Sequence, residues 1–181
     1  MFAPLIEYAV RPDDIVVREG EYLAVVGSRP VSRPELIARL DQPGVAYRAY
    51  HLVPHRTVAE NVILGMCYHG VPRAERADRA AEALERVGLR HRTHQLPDTL
   101  PAGERRRIVI ARALVDRPAA LLCEEPTDDL DNRSCAAVLD VLDHLHAAGL
   151  TLLVLTRQDT VATRAARVIR IRELTASVHA R

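Results

Sequence analysis

The chain has 181 residues, 48% of them hydrophobic and 27% charged, which is the size and balance of one compact domain with its own core. Its 25 basic and 24 acidic residues leave a formal charge of +1, so no whole-molecule field draws it to nucleic acid or to anionic lipid. Every basic residue is an arginine, which leaves no lysine to grip a phosphate. Cys67, Cys123 and Cys135 lack the paired spacing of a disulfide framework or a zinc site, and they fit a reducing cytosol. No leader pattern opens the chain and no run reaches the roughly 18 apolar residues of a membrane span, so direct membrane insertion is not expected. Any membrane association would then go through a partner.

In chain order, apolar stretches rich in β-branched residues predict strands at 21–26, 119–124, 151–156 and 167–172. The run Leu152, Leu153, Val154, Leu155 lacks polar alternation, as a strand covered on both faces should. Between the strands, Ala74, Ala77, Ala80, Ala81, Leu84 and Val87 recur at helical spacing and predict a helix over 73–87, closed by Gly88. Further helices are expected at about 104–115 and 132–148, the second ended by Gly149. The pattern is that of an α/β domain with a mainly parallel sheet flanked by helices.

The most specific block begins Leu100, Pro101, Ala102, Gly103, Glu104, Arg105, Arg106, Arg107 and runs on to Leu121, Leu122, Cys123, Glu124, Glu125, Pro126, Thr127, Asp128, Asp129, Leu130, Asp131. It resembles the signature loop and helix, the Walker B strand, the catalytic glutamate and the D-loop of ATP-binding cassette (ABC) transporter nucleotide-binding domains, in the family's order. The stretch from His51 to Val62 resembles the segment after the Q-loop in the lipoprotein and macrolide exporter branch. Gly20 to Gly27 resembles the strand leading into Walker A. The resemblance implies a P-loop NTPase-like fold in a single domain spanning 1–181. Its core would lie at about 20–50 and 117–172, with a helical subdomain at about 55–116. It also implies ATP and Mg2+ as ligands and a membrane permease or another ABC ATPase subunit as partners. The chain would then sit in the cytoplasm, peripheral to the membrane through a permease.

Position by position, the chemistry departs from the family pattern. A phosphate loop needs glycines that let N–H groups converge on the phosphates, then lysine and a hydroxyl for magnesium. Gly27 fits the first position, but the last ones read Ser32, Arg33, Pro34, with Glu35 following. Proline has no N–H and no magnesium ligand, and arginine's planar fork does not substitute freely for an ammonium. Ser32 and Glu35 instead have the spacing of a helix capping box, which would fill the anion site with the protein's own side chains. The Q-loop glutamine position is Arg48, the Walker B aspartate position is Glu124, and the switch histidine position is Arg157. Pro101 and Ala102 replace the signature serine and first glycine, while Gly103, the catalytic-position Glu125 and the D-loop Asp131 keep the family identity. Only 15 residues separate Arg33 from Arg48, so the antiparallel subdomain is expected to be reduced, and Tyr8 is the one aromatic offered for adenine stacking.

Other readings of the same residues were weighed. Arg105, Arg106 and Arg107 are read as a solvated helix face rather than a phosphate or nucleic-acid patch, since no aromatics interleave. His91, His94 and Asp98 offer a poor metal set with Arg90 and Arg92 beside them. Neighbouring strand residues face opposite ways, so Glu124 and Glu125 can serve one site only if the chain bends between them. Three outcomes remain open: a non-hydrolysing module that docks on a permease or an active subunit and contributes the signature side, Leu100 to Glu104, in trans; an ATPase with altered ligands, using Glu125 as base and Arg33 and Arg157 for the γ-phosphate; and a paralogue without a role.

Overall fold

The computed structural model describes residues 15–27, 44–46, 51–67 and 70–171. Five strands, β1 (Tyr22–Gly27), β2 (Gly44–Ala46), β3 (Ala120–Glu124), β4 (Thr151–Thr156) and β5 (Arg167–Ile171), form one sheet in the order β2-β3-β4-β1-β5. All four ladders are parallel, with Leu23 opposite Leu153 and Leu122 opposite Leu153 on either side of β4. The strands fall within a residue of their expected bounds. The exception is β2, which three small residues gave no pattern to reveal and which its pairing with β3 fixes. The expected reduced antiparallel subdomain, Tyr8 and the Ser32 to Glu35 capping box lie outside the described residues.

Every residue of β4 is buried, as continuous apolar strands of a covered sheet must be. Because side chains alternate across a strand, the core divides in two. Tyr22, Leu121, Cys123, Leu152 and Val154 face the helices, while Leu23, Val25, Leu122, Leu153, Leu155 and Ile169 pack with Ile15 on the other side. Each fully buried leucine contributes about 2 kcal/mol of transfer free energy. Burial also pushes the Cys123 thiol up to about 12, so it acts as an apolar packing group and not a reactive one.

The helices over the first face are α1 (Val58–Ile63), α2 (Arg73–Arg86), α3 (Ala102–Leu114) and α4 (Asn132–Ala147), with a short α5 (Asp159–Ala162) before β5. Helix α2 ends as its sequence predicts. Gly88 takes a φ of +70°, and the Leu89 amide donates to the Leu84 carbonyl at 2.8 Å. Helix α1 starts from a capping box that the Thr57-x-x-Glu60 pattern encodes: the Glu60 amide donates to Thr57 Oγ1 at 3.2 Å and the Thr57 amide to Glu60 Oε2 at 2.7 Å. Among the described residues no helix is long and apolar enough to cross a membrane.

Three carboxylates tie these elements down, and all sit below the usual carboxylate range. The Thr57 amide and hydroxyl lower Glu60, and the Ser134 amide and hydroxyl lower Asp131. Burial raises Glu21, but its bonds from Arg167 and the Arg18 amide outweigh that and leave it lowered. A carboxyl whose folded value lies below its unfolded one stabilises the fold above about pH 4, and that contribution is lost as pH falls through the lowered value. Thermal midpoints should therefore be flat from neutral pH down to about 5 and fall below about 4. In a Glu60→Gln, Asp131→Asn double variant the acid fall should be shallower. An unchanged acid slope would show that these caps do not carry the acid sensitivity.

Candidate functional site

In a parallel sheet the strand ends that carry function lie at the carboxyl edge, where helices depart. Here β3, β4 and β1 stand side by side, so Glu124, Thr156 and Gly27 come to one edge although they are far apart in sequence. Ser32, Arg33, Pro34, Glu35 and Arg48 lie outside the described residues.

The bend required between the two glutamates is present. Glu124 ends β3 in register with Leu155, and Glu125 then turns with a φ of +43° while its amide donates to the Leu155 carbonyl at 2.8 Å. Glu125 is 8% exposed and its carboxylate accepts three hydrogen bonds. The Arg157 amide and Nε each donate to Oε1 at 3.0 Å, and Thr156 Oγ1 donates to Oε2 at 3.1 Å. The same guanidinium reaches Asp128, with Nη2 at 3.5 Å from Oδ2. These bonds hold the Glu125 carboxylate against the segment that follows β4. Among the described residues no three His, Cys, Asp or Glu side chains group as a metal site. The buried carboxylate described at this edge, Glu125, is matched with an arginine, while positions 34 and 48, where the family pattern would place magnesium contacts, lie outside the described residues.

The turn after Glu125 is built from its own backbone. The Asp128 amide donates to the Glu125 carbonyl, Thr127 is 2% exposed, and Asp131 caps α4 by accepting from the Ser134 amide and hydroxyl, both at 2.9 Å. Across from it stands the start of α3. Leu100 is buried in the main core, Pro101 is exposed and caps α3 without a side-chain bond, Ala102 is half-buried and Gly103 is buried. Glu104 turns back to Arg92, with Nε at 3.0 Å from Oε2.

The arginine triplet corrects an expectation. Arg106 is 3% exposed and donates Nη2 to the Asp128 carbonyl at 3.4 Å, and the half-buried Arg107 donates Nη1 to the Val87 carbonyl at 3.0 Å, while Arg105 stays partly exposed. Open carbonyls at a helix end and in a turn give these guanidiniums partners that a count of charges does not show.

The family model described as ABC transporter matches residues 19–128. The chain belongs to the ABC transporter family. It is 34% identical to the uncharacterized ABC transporter ATP-binding protein YvrO of Bacillus subtilis, over 88% of this chain and 83% of that protein. It is also 34% identical to the macrolide export ATP-binding/permease protein MacB of Nitrosomonas europaea, over 88% of this chain but 29% of the relative. The chain thus spans under a third of such fused relatives and most of the separate ATP-binding protein. Among solved structures, an ATP-binding cassette dimer in a post-hydrolysis state with ADP and Pi shares the fold, with a TM-score of 0.66 and 24% identity over 95% of this chain and 90% of that one.

Glu125 and Arg157, the expected catalytic-glutamate and switch positions, meet at the edge just described, and Asp131, the expected D-loop position, lies in the turn at 128–131. Sequence reasoning named Glu125, Arg157, Asp131 and Gly103, missed Thr156 and Ser134, and read Arg106 as solvent-facing. The Asp131-x-x-Ser134 spacing was a usable signal for the second of these, since it is a helix-capping pattern. No local pattern marks Thr156 or Arg106, whose partners lie 31 and 22 positions away.

Proposed function

We propose that this ABC cassette chain is a non-hydrolysing module that docks on a membrane permease or pairs with an active ABC ATPase subunit. The observation that carries the reading is the Arg157 guanidinium on Glu125: the residue expected to act as general base is held by an ion pair and two further hydrogen bonds. The sequence of the phosphate loop supports it, since Arg33, Pro34 and Glu35 remove the ammonium, the hydroxyl and part of the anion-binding backbone. A permease partner is inferred from relatives in which the ATP-binding segment is joined to a permease, as in MacB. Such a partner would place this chain at the cytoplasmic face of a membrane.

The bend at Glu125 favours a second reading, an ATPase with altered ligands, because it aims the carboxylate out of the strand's alternation. That reading requires Arg157 to leave Glu125 when nucleotide arrives. Calorimetric titration of the purified chain with Mg-ATP separates the two. The non-hydrolysing reading expects no saturable heat up to millimolar nucleotide and no phosphate release, together with capture of a permease or a second cassette from native membranes. Saturable, magnesium-dependent binding with turnover overturns it.

A further inference from the structure

Gly103 and Ser134 are 31 positions apart, one at the start of α3 and the other in the first turn of α4, and they meet with no room between them. A methyl group on Gly103 would lie 2.7 Å from Ser134 Cβ, 3.0 Å from its Oγ and 3.2 Å from its Cα, closer than such atoms approach. The same serine binds the D-loop position twice, its amide donating to Asp131 Oδ1 and its hydroxyl to Asp131 Oδ2, each at 2.9 Å. A second link runs parallel to the first, from Arg106 Nη2 to the Asp128 carbonyl.

We propose that Ser134 is a positioning residue that locks the signature turn and the D-loop turn of this chain into one rigid unit, with Gly103 required at its position by that contact. The argument is steric and directional. The 2.7 Å contact is with Ser134 Cβ, which no rotation of the side chain moves, so a larger residue at 103 is admitted only by shifting the first turn of α4 and with it the Asp131 cap. A displacement of either turn must then move the other, because the contact is between a helix backbone and a side chain that caps the neighbouring helix. This goes beyond the non-hydrolysing reading and does not depend on it, since nucleotide and partner are absent from its test.

The test is a double-mutant cycle on the full chain, Gly103→Ala, Ser134→Gly and the pair together, read by thermal midpoint and by hydrogen exchange of amides 128–135. Gly103→Ala should speed exchange in the 128–135 turn about tenfold although the substitution lies in α3. The double variant should exchange in that turn about as Ser134→Gly does, because removing the serine side chain opens the space the new methyl needs. Ser134→Ala, which keeps the Cβ and loses the hydroxyl, should speed exchange at 131–134 yet fail to rescue Gly103→Ala. If Gly103→Ala does not fold alone, folding of the double variant supports the proposal and its failure overturns it. Independent, multiplying effects of the two substitutions on exchange at 128–135 also overturn it.

Discussion

Asn61→Ala should lower the unfolding free energy by about 2–3 kcal/mol, measured as a shift in the urea midpoint at unchanged slope. Asn61 is wholly buried in α1, and its amide holds the segment that enters the helix. Oδ1 accepts from the Val53 amide at 2.7 Å, and Nδ2 donates to the carbonyls of Val53, Arg56 and Thr57 at 3.1, 3.0 and 3.0 Å. Alanine leaves the Val53 amide and the Arg56 carbonyl without the side-chain partner, while the Val53 and Thr57 carbonyls keep the Arg56 and Asn61 amides, and an unsatisfied buried group costs about 1–3 kcal/mol. The total stays near the low end because Arg56 is exposed and Val53 half-buried, so water recovers part of the loss. Asn61→Asp is the sharper control. It keeps the acceptor for Val53 but turns a carboxylate toward three carbonyl oxygens, so it should be at least as damaging at neutral pH and partly relieved as the carboxyl protonates. A loss under about 0.5 kcal/mol for Asn61→Ala would mean that the segment is held by something else.

Asn61 also marks where sequence reading succeeds and where it stops. The long elements were legible because their signals are local. Leu152 to Leu155 reads as a doubly covered strand, and the alanine and leucine spacing of 73–87 reads as a helix that Gly88 ends. Helix α1 is six residues long with too little periodicity to stand out, and its existence rests on the Thr57 cap and on Asn61. Strand β2 is held by its register with Leu121, Leu122 and Cys123 and by nothing in its own composition that is diagnostic.

The candidate site divides along the same line. That Arg157 is expected at the switch position rests on the family resemblance and on its place after the apolar run of β4. That its guanidinium meets Glu125 depends on β3 and β4 being neighbours in register, a fact of topology that no local pattern carries. Arg106 shows the converse error. Three adjacent arginines look like surface charge, yet the fold supplies carbonyls at Asp128 and Val87, and the guanidiniums of Arg106 and Arg107 turn to them.

Restoring the phosphate loop alone, by Arg33→Lys, Pro34→Ser and Glu35→Thr together, should leave the chain without ATP turnover. Three charge-assisted contacts at about 1.5–3 kcal/mol each amount to roughly 4–9 kcal/mol, or about three to six decades in affinity. A cassette that began with micromolar binding would therefore fall beyond the millimolar range when it lost them. Regaining the side chains returns less than the full sum, because clustered ligands act together and Arg48 and Glu124 stay substituted. The triple variant is expected to recover no more than about two decades of Mg-ATP affinity by calorimetry. Turnover should still be missing, because Arg157 continues to hold Glu125 through Nε and the main-chain amide. Adding Arg157→His removes the guanidinium while leaving the amide bond and the Thr156 hydroxyl in place, so the carboxylate keeps its position and loses its counter-ion. Phosphate release that emerges only with this fourth substitution would assign the block to Arg157. Hydrolysis by the triple variant alone would show that the Arg157 ion pair opens readily and is not what silences the site.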